Sequence, residues 1–251
     1  MREAAVGVRG IRELRAYAGS YSRVYFGAEF CERLLPTPGE VARALRFCRE
    51  KDKAFTLAMP CLTDRGLAGA RKLLARLPEG TEVVLNDWGL LEDLEEFNLT
   101  PVLGRLLVKY RRDPRVEEVY GIPAQCGCVL HSSALTQERF AGFLRKLGVC
   151  RIELDNPPFR VDHGSLRGFR VSVHLPYVYV TTGRQCLTNY FADGVFGIRP
   201  CGKACLRHSF TWESPDFPTP LVHAGNTLCY VNEAEPAGKK ADRLVYHPTI
   251  P

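Results

Sequence analysis

Cys186, Cys201 and Cys205 fall within one twenty-residue stretch, and a fourth cysteine, Cys31, stands far from them, just after a strand-like run. Thiolate sulfur is the soft ligand that iron–sulfur clusters and zinc select, and a local trio completed by one distant cysteine is an ordinary way to assemble four sulfurs. The spacing reads C-x14-C-x3-C. Its long first gap differs from the C-x2-C knuckles of zinc fingers, which puts an iron–sulfur cluster first and zinc second, with neither excluded by spacing. Arg184, Arg199, Lys203 and Arg207 share the loop, where cations would offset the negative charge of four thiolates around a cluster. Gly183, Gly194, Gly197 and Gly202 give its backbone freedom to turn amides toward sulfur. The zinc version uses Cys201, Cys205 and His208.

The remaining cysteines call for less. Cys48 on an amphipathic helix, Cys61 and Cys150 at strand ends and Cys229 in a short apolar run are expected to serve core packing. Cys126 and Cys128 form a C-x-C in a glycine-containing loop, a pair suited to oxidation, electron relay or metal binding but too short to specify one. Three polar residues close strand-like runs: Asn86 and Asp87 after VVL, and Asp155 after RIEL. Each is a candidate to bind substrate or move a proton, and the first two serve equally well as caps for a helix starting at Trp88. His174, within a strand, reads as a core histidine rather than a base.

The elements that must position these groups alternate. Branched and aromatic residues predict strands at 4–8, 23–28, 54–60, 81–87, 101–107, 150–156 and 169–180, and three- and four-residue apolar spacing predicts helices at 38–50, 64–77, 90–97 and 136–147. Such alternation implies an α/β fold with a parallel sheet and right-handed crossovers. A chain of 251 residues is the usual size of a (β/α) TIM-like barrel. Six clear strands and one weak one leave that barrel incomplete or distorted, or hide a strand near 121–133. An open doubly wound sheet is the alternative. In either, functional groups collect at the carboxyl ends of the strands, which would let Cys31 and the 186–205 loop share one rim. The expected organisation is one domain over 1–251, with 232–251 as an extended surface tail.

Composition narrows the setting. The chain is 45% hydrophobic and 25% charged, with ten cysteines, enough for a full core and suited to metal or redox use rather than to a small disulfide scaffold. MREAAVGVRGIREL interrupts every apolar run with charge, so neither a signal-peptide core nor a membrane span is expected there. A reducing cytoplasm is the expected compartment. The net charge of +6 is scattered, and the basic runs at 109–115 and 239–243 are broken by acids, so nucleic-acid binding is unsupported. There is no G-x-S-x-G elbow, no H-E-x-x-H helix and no nucleophile–base pair, which disfavours a peptidase.

Three segments, VYFGAEFCERL, VVLNDWGLL and TTGRQCLTNYFADGVFGIRPCGKACLRHSF, resemble the collagenase-like peptidase family (peptidase U-32), nearest to the UbiV- and UbiU-type iron–sulfur proteins of oxygen-independent ubiquinone biosynthesis. The resemblance spans about Val24 to Phe210 and is carried by the cysteine set and the V-Y-F-G and N-D segments. It implies a barrel-like fold and a 4Fe-4S cluster on Cys31, Cys186, Cys201 and Cys205, in a first gap two residues longer than the family's. It also implies a role in hydroxylating an aromatic or nucleobase substrate, and a related cluster-bearing subunit as partner. Peptidase activity, and a non-catalytic subunit with a structural metal site, are the alternatives.

Overall fold

The computed structural model describes residues 2–116, 129–191, 201–236 and 241–251. Among them, eight parallel strands close a barrel. These are β1 (Glu3–Val8), β2 (Arg23–Gly27), β3 (Ala54–Ala58), β4 (Glu82–Leu85), β5 (Thr100–Leu103), β6 (Arg151–Asp155) and β7 (Arg170–Leu175), joined by β12 (Arg243–Tyr246). Between β7 and β12 the chain builds a second, antiparallel sheet in the order β8–β11–β10–β9, from β8 (Tyr177–Thr182), β9 (Phe210–Trp212), β10 (Leu221–Ala224) and β11 (Thr227–Val231). Helices α1 (Ile11–Tyr17), α2 (Pro38–Glu50), α3 (Asp64–Leu74), α4 (Leu91–Glu96) and α5 (Glu138–Lys146) cross between successive barrel strands, while the β6–β7 connection has none. A short α6 (Leu187–Phe191) follows β8.

Three expectations change. The barrel is closed rather than incomplete. Its eighth strand lies at 243–246, inside the stretch read as a surface tail: Leu244 and Val245 are flanked by charged or aromatic residues, so nothing local marks a strand until β1 and β7 pair with it on both sides. The long strand expected over 169–180 is two strands in different sheets, separated at Pro176, which has no N–H to continue a ladder. The search for a strand near 121–133 falls partly outside the described residues; residues 129–133 form a helical turn and an isolated bridge.

The helices start where the sequence marks them. Thr37 and Glu40 form a reciprocal capping box ahead of α2, with Pro38 in its first turn. Thr63 caps α3, and its hydroxyl and N–H both donate to Glu32. Large apolar clusters fill the space between strands and helices, with Phe26, Leu57 and Leu85 against Leu14, Leu73 and Leu94, and Ile152 and Val173 against Ala141 and Leu144. Inside the barrel the apolar residues are few and mostly small: Ala5, Ala58, Val84, Val102 and Val245, with Tyr25. That leaves room for long polar side chains. At the amino end Glu82 accepts from Arg243 (2.7 Å), Arg23 (3.2 Å) and Thr56 (3.0 Å), and Glu3 accepts from Arg23 (2.7 Å) and Arg243 (2.6 Å).

Candidate functional site

The antiparallel sheet docks on the carboxyl end of the barrel. Phe30 after β2 and Leu106 after β5 pack with Tyr179 of β8 and Cys229 of β11. Polar ties reinforce this: Tyr179 Oη donates to the Arg105 carbonyl (3.0 Å), and Asn226 Nδ2 donates to the Phe30 carbonyl (2.8 Å).

This docking brings the predicted thiols to one rim. Cys31 ends the β2 loop at the start of a 3-10 turn. Cys186 precedes α6, and Asn189 N–H donates to its sulfur at 3.3 Å. Cys205 lies in a 3-10 turn before β9, against the β10–β11 hairpin, where Gly225 has a left-handed backbone (φ 64°) and a Cβ would meet Cys205 Cβ at 3.4 Å. Gly225 N–H in turn donates to buried Thr188 of α6 (2.8 Å). All four thiols are free and half-buried. Burial pushes Cys31 upward, helped by Cys201 and Cys186, against N–H donation from Arg33 and Leu34. Burial raises Cys205 to about 11, with Cys186, Cys31 and Cys201 adding to it, and raises Cys186, with Cys201 contributing. The four are therefore electrostatic neighbours, and repulsion among their thiolates favours either protonation or a cationic centre. Among the described residues no three of these sulfurs lie within 4.8 Å of one another, whereas a tetrahedral zinc ion with Zn–S near 2.3 Å holds its sulfurs about 3.8 Å apart. His208 is exposed and joins no such trio with Cys201 and Cys205. Arg199, Gly194, Gly197, Cys126 and Cys128 lie outside the described residues.

A chemical consequence follows for the metal-free chain. At pH 8, Cys205, with its thiol at about 11 against an ordinary 9.0, is expected to alkylate about a hundredfold more slowly than an unperturbed cysteine, in proportion to its thiolate fraction. Peptide mass mapping after timed iodoacetamide treatment measures this; rapid labelling would contradict the burial of Cys205 beside the other thiols.

Cys31 also borders a cavity of about 660 Å³ lined by Phe30, Leu106 and Tyr179, by Asn86 and Cys61, and by the cations Arg33, Lys109, Arg112 and Arg184. That volume suits a small organic ligand, and the cations favour a negatively charged one. A tightly bonded floor supports it. Arg105, wholly buried, donates to both oxygens of Glu29 (3.0 and 2.5 Å) and to Asp155 (2.8 Å); Arg112 completes the pair with Asp155 (2.5 Å). Burial opposes charge on Glu29 and Asp155, yet Arg105 beside the first and Arg112 with Arg105 beside the second hold both carboxyls below their ordinary values.

The three polar residues picked from sequence take different places. Asn86 lines the cavity, but Nδ2 donates to Met59 O (2.9 Å) and Oδ1 accepts from Leu106 N–H (3.0 Å), tying two rim loops together. Asp87 accepts from Gly89 N–H (2.9 Å) and Leu62 N–H (2.8 Å), capping the turn at Trp88. Asp155 lies beneath the cavity, sealed by its arginines. Glu29, which follows the β2 strand at the rim as the sequence suggests, is joined there by Arg105, Arg112 and Tyr179, which residue type and spacing did not single out. Glu29 and Arg105 each stand two residues past a strand end, the position where a barrel places functional side chains, and that was the available signal. Gly104 is part of the same construction, because a Cβ there would strike the Asn86 side chain. Gly104→Ala is expected to cost about 1–3 kcal/mol through overpacking, measured by urea unfolding; an unchanged midpoint would remove Asn86 as the tie between loops.

The molecule is thus a (β/α)-barrel protein with neighbouring half-buried thiols at Cys31, Cys186, Cys201 and Cys205 and a ligand-sized cavity at its carboxyl mouth. No family model matches the chain, and no curated protein matches it. Among solved structures, the U32 peptidase Mk0906 superposes over 100% of this chain and 94% of that one, with 12% sequence identity and a TM-score of 0.48. No helix among the described residues is long and apolar enough to cross a membrane.

Proposed function

We propose that this is an iron–sulfur protein of the collagenase-like peptidase (U-32) type that holds a 4Fe-4S cluster on Cys31, Cys186, Cys201 and Cys205 and takes part in oxygen-independent hydroxylation. The observation that carries the reading is the approach of Cys31, which borders a ligand-sized cavity, to Cys186, Cys201 and Cys205 from far along the chain. A donor set of four thiols fits a cluster, and sulfurs set wider than one tetrahedral ion requires favour it over zinc. Bound there, the cluster would supply electrons.

The chain's own residues would do the rest. Phe30 and Tyr179, packed together and each backed by an arginine, would give a ring an apolar wall, and Arg33, Lys109 and Arg184, exposed at the cavity, would orient its anionic substituent. An aromatic, ubiquinone-precursor-like or nucleobase substrate meets those demands. Asn86 would hold the cavity wall in place, with Asp87 bracing the adjacent loop and Asp155 fixing Arg112. A second cluster-bearing subunit is the partner the sequence resemblance suggests, and with it a catalytic or a supporting role for this chain.

Anaerobic reconstitution with iron and sulfide tests the ligand set. The wild-type chain is expected to take up about four irons with broad visible absorbance, and alanine at any of the four cysteines to lose iron or leave an incomplete cluster. A full iron complement in all four variants would remove the assignment. Zinc retained in place of iron would favour the alternative metal.

A further inference from the structure

Along the barrel axis three buried side chains stand end to end. Glu153 Oε2 on β6 lies 2.6 Å from His174 Nε2 on β7, and His174 Nδ1 lies 2.7 Å from Nε2 of His247, the residue after β12. None is more than 7% exposed. The second oxygen of Glu153 accepts from Tyr25 Oη at 2.9 Å. A carboxylate only accepts, so the proton it shares with His174 belongs to Nε2, which leaves His174 Nδ1 as an acceptor. His247 must then donate from Nε2 and keep its lone pair on Nδ1. The rings are 19° from coplanar with centroids 5.0 Å apart. With the nitrogens at 2.7 Å, the remaining separation is just the two ring radii, so the hydrogen bond runs in line.

The chain ends at a cavity of about 20 Å³ bordered by His174, His247, Glu29, Tyr25, Gly7 and Arg9, room for about one water molecule. Glycine at position 7 is required, because a Cβ there would collide with the His247 ring. Ligand atoms of Glu29, His174 and His247 do lie within 4.8 Å of one another, the composition of a metal site. Two features disfavour a cation. The facing histidine nitrogens point at each other rather than toward a third point, and Arg105 already occupies both Glu29 oxygens while Arg9 borders the same space.

We propose that Glu153, His174 and His247 form a proton relay whose terminal base, Nδ1 of His247, serves a small protic ligand, a water or a hydroxyl group, in this cavity. The O–H bond of the ligand breaks and its proton bonds to His247 Nδ1. The Nε2 proton of His247 passes to His174 Nδ1, which leaves an imidazolium paired with the Glu153 carboxylate. No electrons move, and the new oxyanion sits in the field of Arg9 and Arg105. At rest His247 is neutral: burial holds it well below the ordinary histidine value, and a positive charge on it would also be repelled by a protonated His174, by Arg105 and by Arg9. Glu29 and Tyr25 also face the pair, and Asp155 stands beyond Arg105. The relay involves none of the four thiols, so it stands or falls separately from the cluster.

Nitrogen-15 NMR of histidine-labelled full-length chain tests it. Both rings are expected to be neutral with the proton on Nε2, to show nitrogen–nitrogen coupling across the shared bond, and to titrate together at one midpoint on acidification. Glu153→Gln, which removes a charge that His247 does not touch, is expected to lower that midpoint at both rings by about one unit or more. A proton on His247 Nδ1, separate midpoints, or no titration of the folded chain overturns the relay. So does stoichiometric binding of Zn²⁺ or Mn²⁺ that shifts both rings. If Glu153→Gln does not fold, the wild-type tautomers, coupling and shared midpoint decide the matter.

Discussion

Arg105→Met is expected to destabilise the chain by about 3–5 kcal/mol, because it strands the buried Glu29 carboxylate and takes from buried Asp155 one of its two arginines. Arg105 is wholly buried, and its guanidinium holds Glu29 on one side and Asp155 on the other. Asp155 keeps Arg112, and Glu29 keeps nothing of comparable strength among the hydrogen bonds at the site. The loss is a large share of the roughly 5–15 kcal/mol that stabilises a domain, enough to lower the melting temperature by about 10 °C or more. Arg105→Lys should recover only part of it, since a lysine cannot make the forked contact with Glu29 and reach Asp155 as well. Thermal and urea unfolding of the two variants measure this. A methionine variant as stable as wild type would mean that the carboxylates simply take up protons and that the arginine is dispensable.

Acid is expected to release the opposite end of the barrel. Burial alone would raise Glu82, but hydrogen bonds and charge from Arg243, with Arg23 and Thr56, outweigh it and hold the carboxyl at about 2 against an ordinary 4.5. Glu3 is lowered in the same way, burial opposing and Arg23 and Arg243 prevailing. A carboxyl lowered by folding contributes stability that is fully present above its unfolded value and is lost as pH falls through the folded one. The window for Glu82 is therefore pH 4.5 down to about 2, and the contribution at stake is on the order of 3 kcal/mol. Urea midpoints should hold steady above pH 5 and fall steeply below it. Glu82→Gln should be less stable than wild type at pH 7 and show a shallower decline in the acid window. Parallel curves for the two proteins would place the acid sensitivity elsewhere.

Local chemistry made much of the architecture readable. The apolar spacing of α2, the Thr37–Pro38 start and the branched residues of β2, β3, β4 and β6 state their own conformations, because capping and periodicity act over a few residues. Strand β12 was missed for the converse reason. Its RLVY has little pattern of its own and becomes a strand only when β1 and β7 pair with both its edges. The break at Pro176 was legible in principle, since proline cannot continue a ladder, but which sheet each half joins depends on partners far away in the chain.

The site divides along the same line. Residue type and spacing made Cys31, Cys186, Cys201 and Cys205 candidates for a soft metal centre, the resemblance grouped them as one ligand set, and Asn86, Asp87 and Asp155 were legible as strand ends. Only the tertiary structure decided that the antiparallel sheet brings three of those thiols over the barrel mouth to the fourth, that Asp155 is tied to Arg105 and Arg112, and that His174 meets His247 across 73 residues of chain. Thiol chemistry belongs to the side chain and survives in a bare sequence. Desolvation and ion pairing belong to whatever stands within a few ångströms, and that is set by how closed strands and a docked sheet fill space.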